Sequence, residues 1–198
     1  MMLSSTGRVY EQRRQPPGAL PGPSTCVYPS TSEADTLAAL LRARRLSAVS
    51  IGAGEGYLER MLEDRGIAVT AVDLDVCAPS RYASMRCYCE EIRRIRPDTL
   101  YAIPQPEETS LLFIWGRVIP WREYLERYPS VPLVVIAGDP APAGDEGVTD
   151  PSASALEGVV PWRLVSRSPI CAVHQSAMLA VYERTRSSPS SMCHVYKE

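Results

Sequence analysis

Lysine is almost missing from this chain. Of the 21 basic residues among 198, 20 are arginine, and the single lysine, Lys197, stands beside the C-terminus. Its scarcity excludes P-loop phosphate binding, a kinase-type lysine, Schiff bases and pyridoxal phosphate chemistry, all of which need a placed amine. Histidine is nearly as rare: His174 and His194 are the only two, too few for a multi-histidine metal centre. A Ser–His–Asp triad would need one of them, and no G-x-S-x-G elbow is present. The six cysteines, at 26, 77, 87, 89, 171 and 193, form no C-x-x-C. Cys87 and Cys89 are too close for an ordinary zinc half-site, so no metal is expected.

Long apolar runs are also lacking. No stretch approaches the ~18 consecutive apolar residues of a membrane span, and Met1 to Pro23 has no apolar signal core. The net charge of −2 is too small for a broadly cationic nucleic-acid coat or a general pull toward anionic membranes. A disulfide framework is not expected in a chain able to build its own core. These absences point to a soluble, reduced, intracellular protein, with the cytoplasm as the expected location and no membrane partner.

What is present is ordinary globular composition, 45% hydrophobic and 22% charged, enough for a full core. At about 150 residues per domain, the length suits one domain with tails. Residues 1–30 carry five prolines between Pro16 and Pro29 and read as an irregular arm. Residues 31–185 form the domain, and 186–198, rich in serine, read as a flexible tail.

Inside the domain, helical and strand patterns alternate. Residues 31–35 look like a helix N-cap with acidic first-turn residues, leading into Leu37, Leu40 and Leu41 at helical spacing. Strands are expected at 48–51, 68–72, 110–115, 132–137, 162–166 and 177–182. Helices are expected at 57–64 and 121–128, the latter with Trp121, Tyr124, Leu125 and Tyr128 on one face. Residues 90–95 read as a short helix. The fold class is therefore α/β: a doubly wound, mostly parallel sheet with helices on both faces and a C-terminal antiparallel hairpin.

The strongest local signal is Ile51-Gly52-Ala53-Gly54-Glu55-Gly56-Tyr57, at a strand-to-helix junction. Glycines there allow a sharp turn and close approach of a ligand to the backbone. Asp73 follows at the tip of the next strand, 21 residues after Gly52, where a carboxylate can accept both hydroxyls of a ribose. A dinucleotide fingerprint needs glycine or alanine where Tyr57 stands, which disfavours a nucleotide-dependent oxidoreductase.

The G-x-G-x-G pattern with a following strand-end acid resembles the class I S-adenosylmethionine-dependent methyltransferases. Leu58-Glu59 after the loop is also similar to many members. The resemblance spans about residues 31 to 183 and includes the trailing hairpin. It implies S-adenosyl-L-methionine as cofactor, with Gly52, Ala53, Gly54, Glu55 and Gly56 in the cofactor loop, Asp73 at the ribose and Leu74 beside it. Tyr28, before the first helix, is a candidate lid residue. Ser50 stands where the superfamily usually carries an acid, so a carboxylate for the cofactor ammonium would have to come from elsewhere.

In an open α/β sheet, chemistry is sought beyond the carboxyl ends of the strands. The segment 115–121 lacks the D/N-P-P-Y/F/W of amino-methyltransferases, and a K-D-K-E tetrad is excluded by the lysine count. Trp115 and Arg117 remain as catalytic candidates, one walling the pocket and the other orienting an anionic group. Residues 138–158 carry five acids and no basic residue, a rim that disfavours a phosphate backbone. Arg81, Arg86, Arg93, Arg94 and Arg96 form an opposing basic stretch, read as a solvated helix face. The expectation is a methyltransferase of unknown acceptor, a small molecule or basic protein segment rather than nucleic acid. The alternative is a non-catalytic cofactor binder or scaffold of the same fold, with a protein partner.

Overall fold

Helix α1, Thr31–Ala43, buries Ala34, Leu37, Ala38 and Leu41 on one stripe, as helical spacing of apolar residues dictates. Its N-cap is Ser30, one residue before the segment expected to hold the cap. The Ser30 hydroxyl accepts from Glu33 N, and Glu33 in turn accepts from Ser30 N, a reciprocal box that satisfies two otherwise orphaned donors. This computed structural model describes residues 26–74, 88–89, 91–116, 119–140, 149–172 and 175–185. Most of the proline-rich arm and the whole serine-rich tail lie outside them.

The remaining elements are β1 (Ser47–Ile51), α2 (Tyr57–Glu63), β2 (Val69–Leu74), β3 (Ile92–Ile95), a 3₁₀ turn (Pro106–Glu108), β4 (Thr109–Ile114), α3 (Trp121–Arg127), β5 (Leu133–Gly138), β6 (Trp162–Pro169) and β7 (Met178–Arg184). The seven strands form one sheet in the order β3-β2-β1-β4-β5-β7-β6. The first five run parallel, and β7 is antiparallel to both β5 and β6.

The expected mostly parallel sheet with a C-terminal antiparallel hairpin is therefore what the chain forms. Its last strand lies inside the sheet. The run Leu179–Tyr182 is buried, whereas β6 is largely exposed and forms the edge.

Residues 90–95 are the clear correction: Ile92–Ile95 is a strand. It pairs with β2 in the register Ala71↔Ile92 to Leu74↔Ile95. Ile-Arg-Arg-Ile places its apolar residues three apart, the spacing of a helical face; in the strand Ile92 and Ile95 instead pack on opposite sides of the sheet. Tertiary pairing decides between helix and strand.

Burial follows the two faces of the sheet. Ala48, Leu112, Val135 and Val181 pack against Leu37, Leu41, Leu58 and Leu62 of α1 and α2. Val49, Leu111, Phe113 and Ile136 pack on the other face against Trp121, Tyr124 and Trp162. Strand alternation explains the split, since neighbouring residues point to opposite faces. No helix among the described residues is long and apolar enough to cross a membrane.

Candidate functional site

Strand β1 lies between β2 and β4, so chain order reverses there and the loops after β1 and β4 diverge around a crevice. The glycine loop lines one side of it. Gly52 N and Ala53 N donate to Val72 O at 2.8 and 3.1 Å, which ties the loop to β2. Gly52, Gly54 and Gly56 have φ of 82°, 59° and 76°, the left-handed region that glycine enters without steric cost. Their surroundings differ. A Cβ on Gly52 would lie 2.7 Å from Ile119 Cδ1, and one on Gly56 would press into Cys89 Sγ, whereas one on Gly54 would meet nothing within 4 Å. A Cβ at 52 or 56 would therefore be crowded, while the backbone at 54 is open to an approaching ligand.

Asp73 ends β2 beside that opening. Its Oδ2 accepts from Gly54 N and meets Arg94 Nη1, both at 3.1 Å, and its Oδ1 accepts from Leu74 N at 2.7 Å. Burial pushes the carboxyl pKa up, against the lowering effects of Arg94 and the two backbone donors. Arg94 comes from β3, not from a solvated helix face. Its neighbours in the basic stretch are also engaged, Arg93 with the Tyr101 hydroxyl at 2.7 Å and Arg96 with Asp98 at 3.1 Å. Arg81 and Arg86 lie outside the described residues.

Two cavities flank the crevice. The larger, about 200 Å³, is lined by Val72, Asp73, Leu74 and Ile95 with residues after β4. The smaller, about 100 Å³, is lined by the loop residues Ala53 to Gly56, by Glu59 and by Cys26. Gly52 and Trp115 line both. Trp115 is 7% exposed and has φ of 54°, a strained conformation for a bulky residue of the kind that clusters at functional sites. Its backbone N donates to Ala137 O at 2.8 Å, which anchors the turn to β5.

Gly52, Ala53, Gly54, Glu55, Gly56, Asp73, Leu74 and Trp115 therefore converge on one crevice. Arg117 lies outside the described residues. The Tyr28 hydroxyl donates to Ala172 O at 2.6 Å, while its neighbours Cys26 and Val27 line the smaller cavity.

Glu59 is the residue that sequence reading passed over as a site. It is buried on the core-facing stripe of α2 with Leu58 and Leu62. Ser50 Oγ, also fully buried, donates to Glu59 Oε1 at 2.5 Å. Burial raises the Glu59 pKa to about 7, the largest effect, with Asp73 and Glu63 adding to it and the Ser50 hydrogen bond opposing it. The signal was available: a serine where an acid was expected, and an acid nine residues on, at a core-facing helical position.

The acidic rim is partly engaged in internal contacts. Asp139 accepts from Thr149 N at 3.0 Å, Asp150 accepts from Trp121 Nε1 at 2.8 Å, and Glu157 pairs with Arg167. Asp145 and Glu146 lie outside the described residues.

No protein-family model matches the sequence, and no curated protein matches it. Solved structures with similar backbones include magnesium protoporphyrin IX methyltransferase from Synechocystis PCC 6803 with bound SAM. It is 13% identical, with 78% of this chain and 79% of that one covered and a TM-score of 0.47. A glycopeptide N-methyltransferase complexed with sinefungin is also 13% identical, covers 79% and 87%, and has a TM-score of 0.48. The mostly parallel sheet with its trailing antiparallel hairpin is the arrangement that the sequence resemblance to class I methyltransferases implied.

Proposed function

We propose that this chain binds S-adenosyl-L-methionine and transfers its methyl group to an acceptor. The observation that carries the reading is the pair of cavities meeting at Gly52 and Trp115 beside the open backbone of Gly54. One cavity is mostly apolar with a carboxylate at its edge, as an adenosine requires. The other is smaller and is lined by the loop backbone and by the acids Glu55 and Glu59, which suits an amino-acid portion.

In this reading Asp73 accepts the ribose hydroxyls, Leu74 and Ile95 offer apolar surface to the base, and the loop 52–56 takes the amino-acid end. When bound, the cofactor supplies a methyl group already activated on a sulfonium. The protein's part is then to hold the acceptor in line and exclude water, and correct positioning can supply much of the rate. In this reading Trp115, which walls both cavities, does so, with Arg117 as the orienting charge. The acceptor we propose is a small molecule or basic protein segment rather than nucleic acid. Arg94 of the basic stretch is engaged by Asp73, and residues 138–158 contain no cation to meet a phosphate backbone.

A binder or scaffold without turnover is the second reading, and a protein partner would fit it. It is favoured by the β4 end of the crevice, where Trp115, Gly116, Ile119 and Pro120 offer no titratable side chain. Calorimetry with S-adenosylmethionine and S-adenosylhomocysteine tests the binding, and absence of heat with both overturns it. A labelled-methyl assay on a cell lysate then separates enzyme from binder.

A further inference from the structure

Strand alternation sends Ser50 to the same face as Ala48, toward α1 and α2, and there it meets Glu59. Glu59 occupies a position on α2 where the helical pattern calls for an apolar residue, between Leu58 and Leu62 on the buried stripe. A carboxylate withdrawn from water in this way is costly unless something compensates it. Its partners are the Ser50 hydroxyl and its own backbone N–H, and the charges acting on it, Asp73 of β2 and Glu63 of α2, are both negative. It also lines the smaller cavity together with Gly52, Gly54 and Gly56. The arrangement is a buried acid in negative surroundings beside a small space, which suits a compact cation.

We propose that Glu59, held by Ser50, is the carboxylate that receives the α-ammonium of the cofactor's methionine portion. The inference rests on the cofactor reading above. It explains why the end of β1 can carry serine: the acid reaches the same place from the helix, and the serine that stands in the strand orients it. An ammonium there would pair with Glu59 and favour its ionised form.

The test uses the full chain and two probes. S-adenosylhomocysteine carries the ammonium; 5′-methylthioadenosine keeps the adenosine and sulfur and lacks the amino acid. In the wild type, S-adenosylhomocysteine should bind more tightly as pH rises from about 6 to about 8, because Glu59 ionises across that range, while 5′-methylthioadenosine affinity stays level. Glu59→Gln should weaken S-adenosylhomocysteine by about tenfold or more, leave 5′-methylthioadenosine unchanged and remove the pH dependence. Wild-type-like affinity and pH profile in Glu59→Gln overturn the assignment while leaving the cofactor reading standing. Failure of the wild type to bind either probe overturns the cofactor reading, and this assignment with it. If Glu59→Gln does not fold, the wild-type profile decides alone: S-adenosylhomocysteine affinity independent of pH overturns the proposal.

Discussion

Asp73 and Arg94 are register partners on the adjacent parallel strands β2 and β3, and their side chains meet at 3.1 Å. The acid is 18% exposed and the arginine 10%, so the pair is largely withdrawn from water. Removing one partner of a buried pair leaves an uncompensated charge and costs about 3–5 kcal/mol. With some exposure remaining, Asp73→Ala should lower unfolding free energy by about 2–3 kcal/mol. Replacing Arg94 by methionine in the same chain should recover at least half of that. Denaturant unfolding of the wild type, both single variants and the double variant measures the coupling, and strictly additive costs would refute it. S-adenosylhomocysteine affinity should fall by about 1.5–3 kcal/mol in Asp73→Ala and stay low in the double variant, because the ribose acceptor is still missing.

The three loop glycines should respond unequally to alanine. At Gly54 only the left-handed backbone is strained, at a cost of about 1–2 kcal/mol. At Gly56 the added methyl also presses into Cys89 Sγ, bringing overpacking of about 1–3 kcal/mol on top. Gly56→Ala should therefore be the less stable protein. Gly54→Ala should fold and lose S-adenosylhomocysteine binding, since its methyl fills the opening meant for the ligand. Thermal melts and calorimetry on both variants check this; wild-type affinity in Gly54→Ala would reduce the loop to a chain turn.

The central sheet was legible because its strands are continuous apolar runs, as at 111–114 and 133–137, and only a strand buried on both faces combines that pattern with that length. The glycine loop was legible because its residues have few other reasons to cluster there. Strand β3 was not, since the three-residue spacing of Ile92 and Ile95 matches a helical face, while in the strand they point to opposite sides and the deciding partner, β2, is distant in sequence. Glu59 was hidden for another reason. An acid on a helix is ordinarily solvated, and only the packing of α2 onto β1 shows that this one faces inward.

Trp115 combines a left-handed backbone with a buried ring. Truncation to alanine should cost about 3–5 kcal/mol through lost packing. Trp115→Gly loses the same ring but relieves the backbone, by about 1–2 kcal/mol. The glycine variant should therefore be the more stable of the two, the reverse of the usual order. Urea midpoints of the two variants decide it: alanine above glycine would mean that φ at 115 carries no strain. If the protein is an enzyme, Trp115→Phe should reduce turnover while S-adenosylhomocysteine affinity changes by less than about 1 kcal/mol, because positioning the acceptor and binding the cofactor are separate contributions.

Glu59 makes stability depend on pH in a direction opposite to that of most carboxylates. Its folded-state pKa is about 7, against 4.5 when unperturbed. Between those values the folded chain holds a proton that the unfolded chain has released, so stability falls as pH rises. The contribution is fully present below about pH 4.5 and is lost as pH climbs through about 7, a span worth up to about 3 kcal/mol. Glutamine keeps an acceptor for the Ser50 hydroxyl and cannot ionise. Glu59→Gln should therefore match the wild type near pH 4 and exceed it near pH 8, by up to about 3 kcal/mol. Other titrating groups are common to both proteins and cancel in the difference. Saturating S-adenosylhomocysteine should narrow the gap at pH 8, because an ammonium beside Glu59 compensates the charge that the apo fold leaves exposed to its negative neighbours. Parallel stability curves for the two proteins across this range would mean that Glu59 ionises in the folded chain as freely as it does in water.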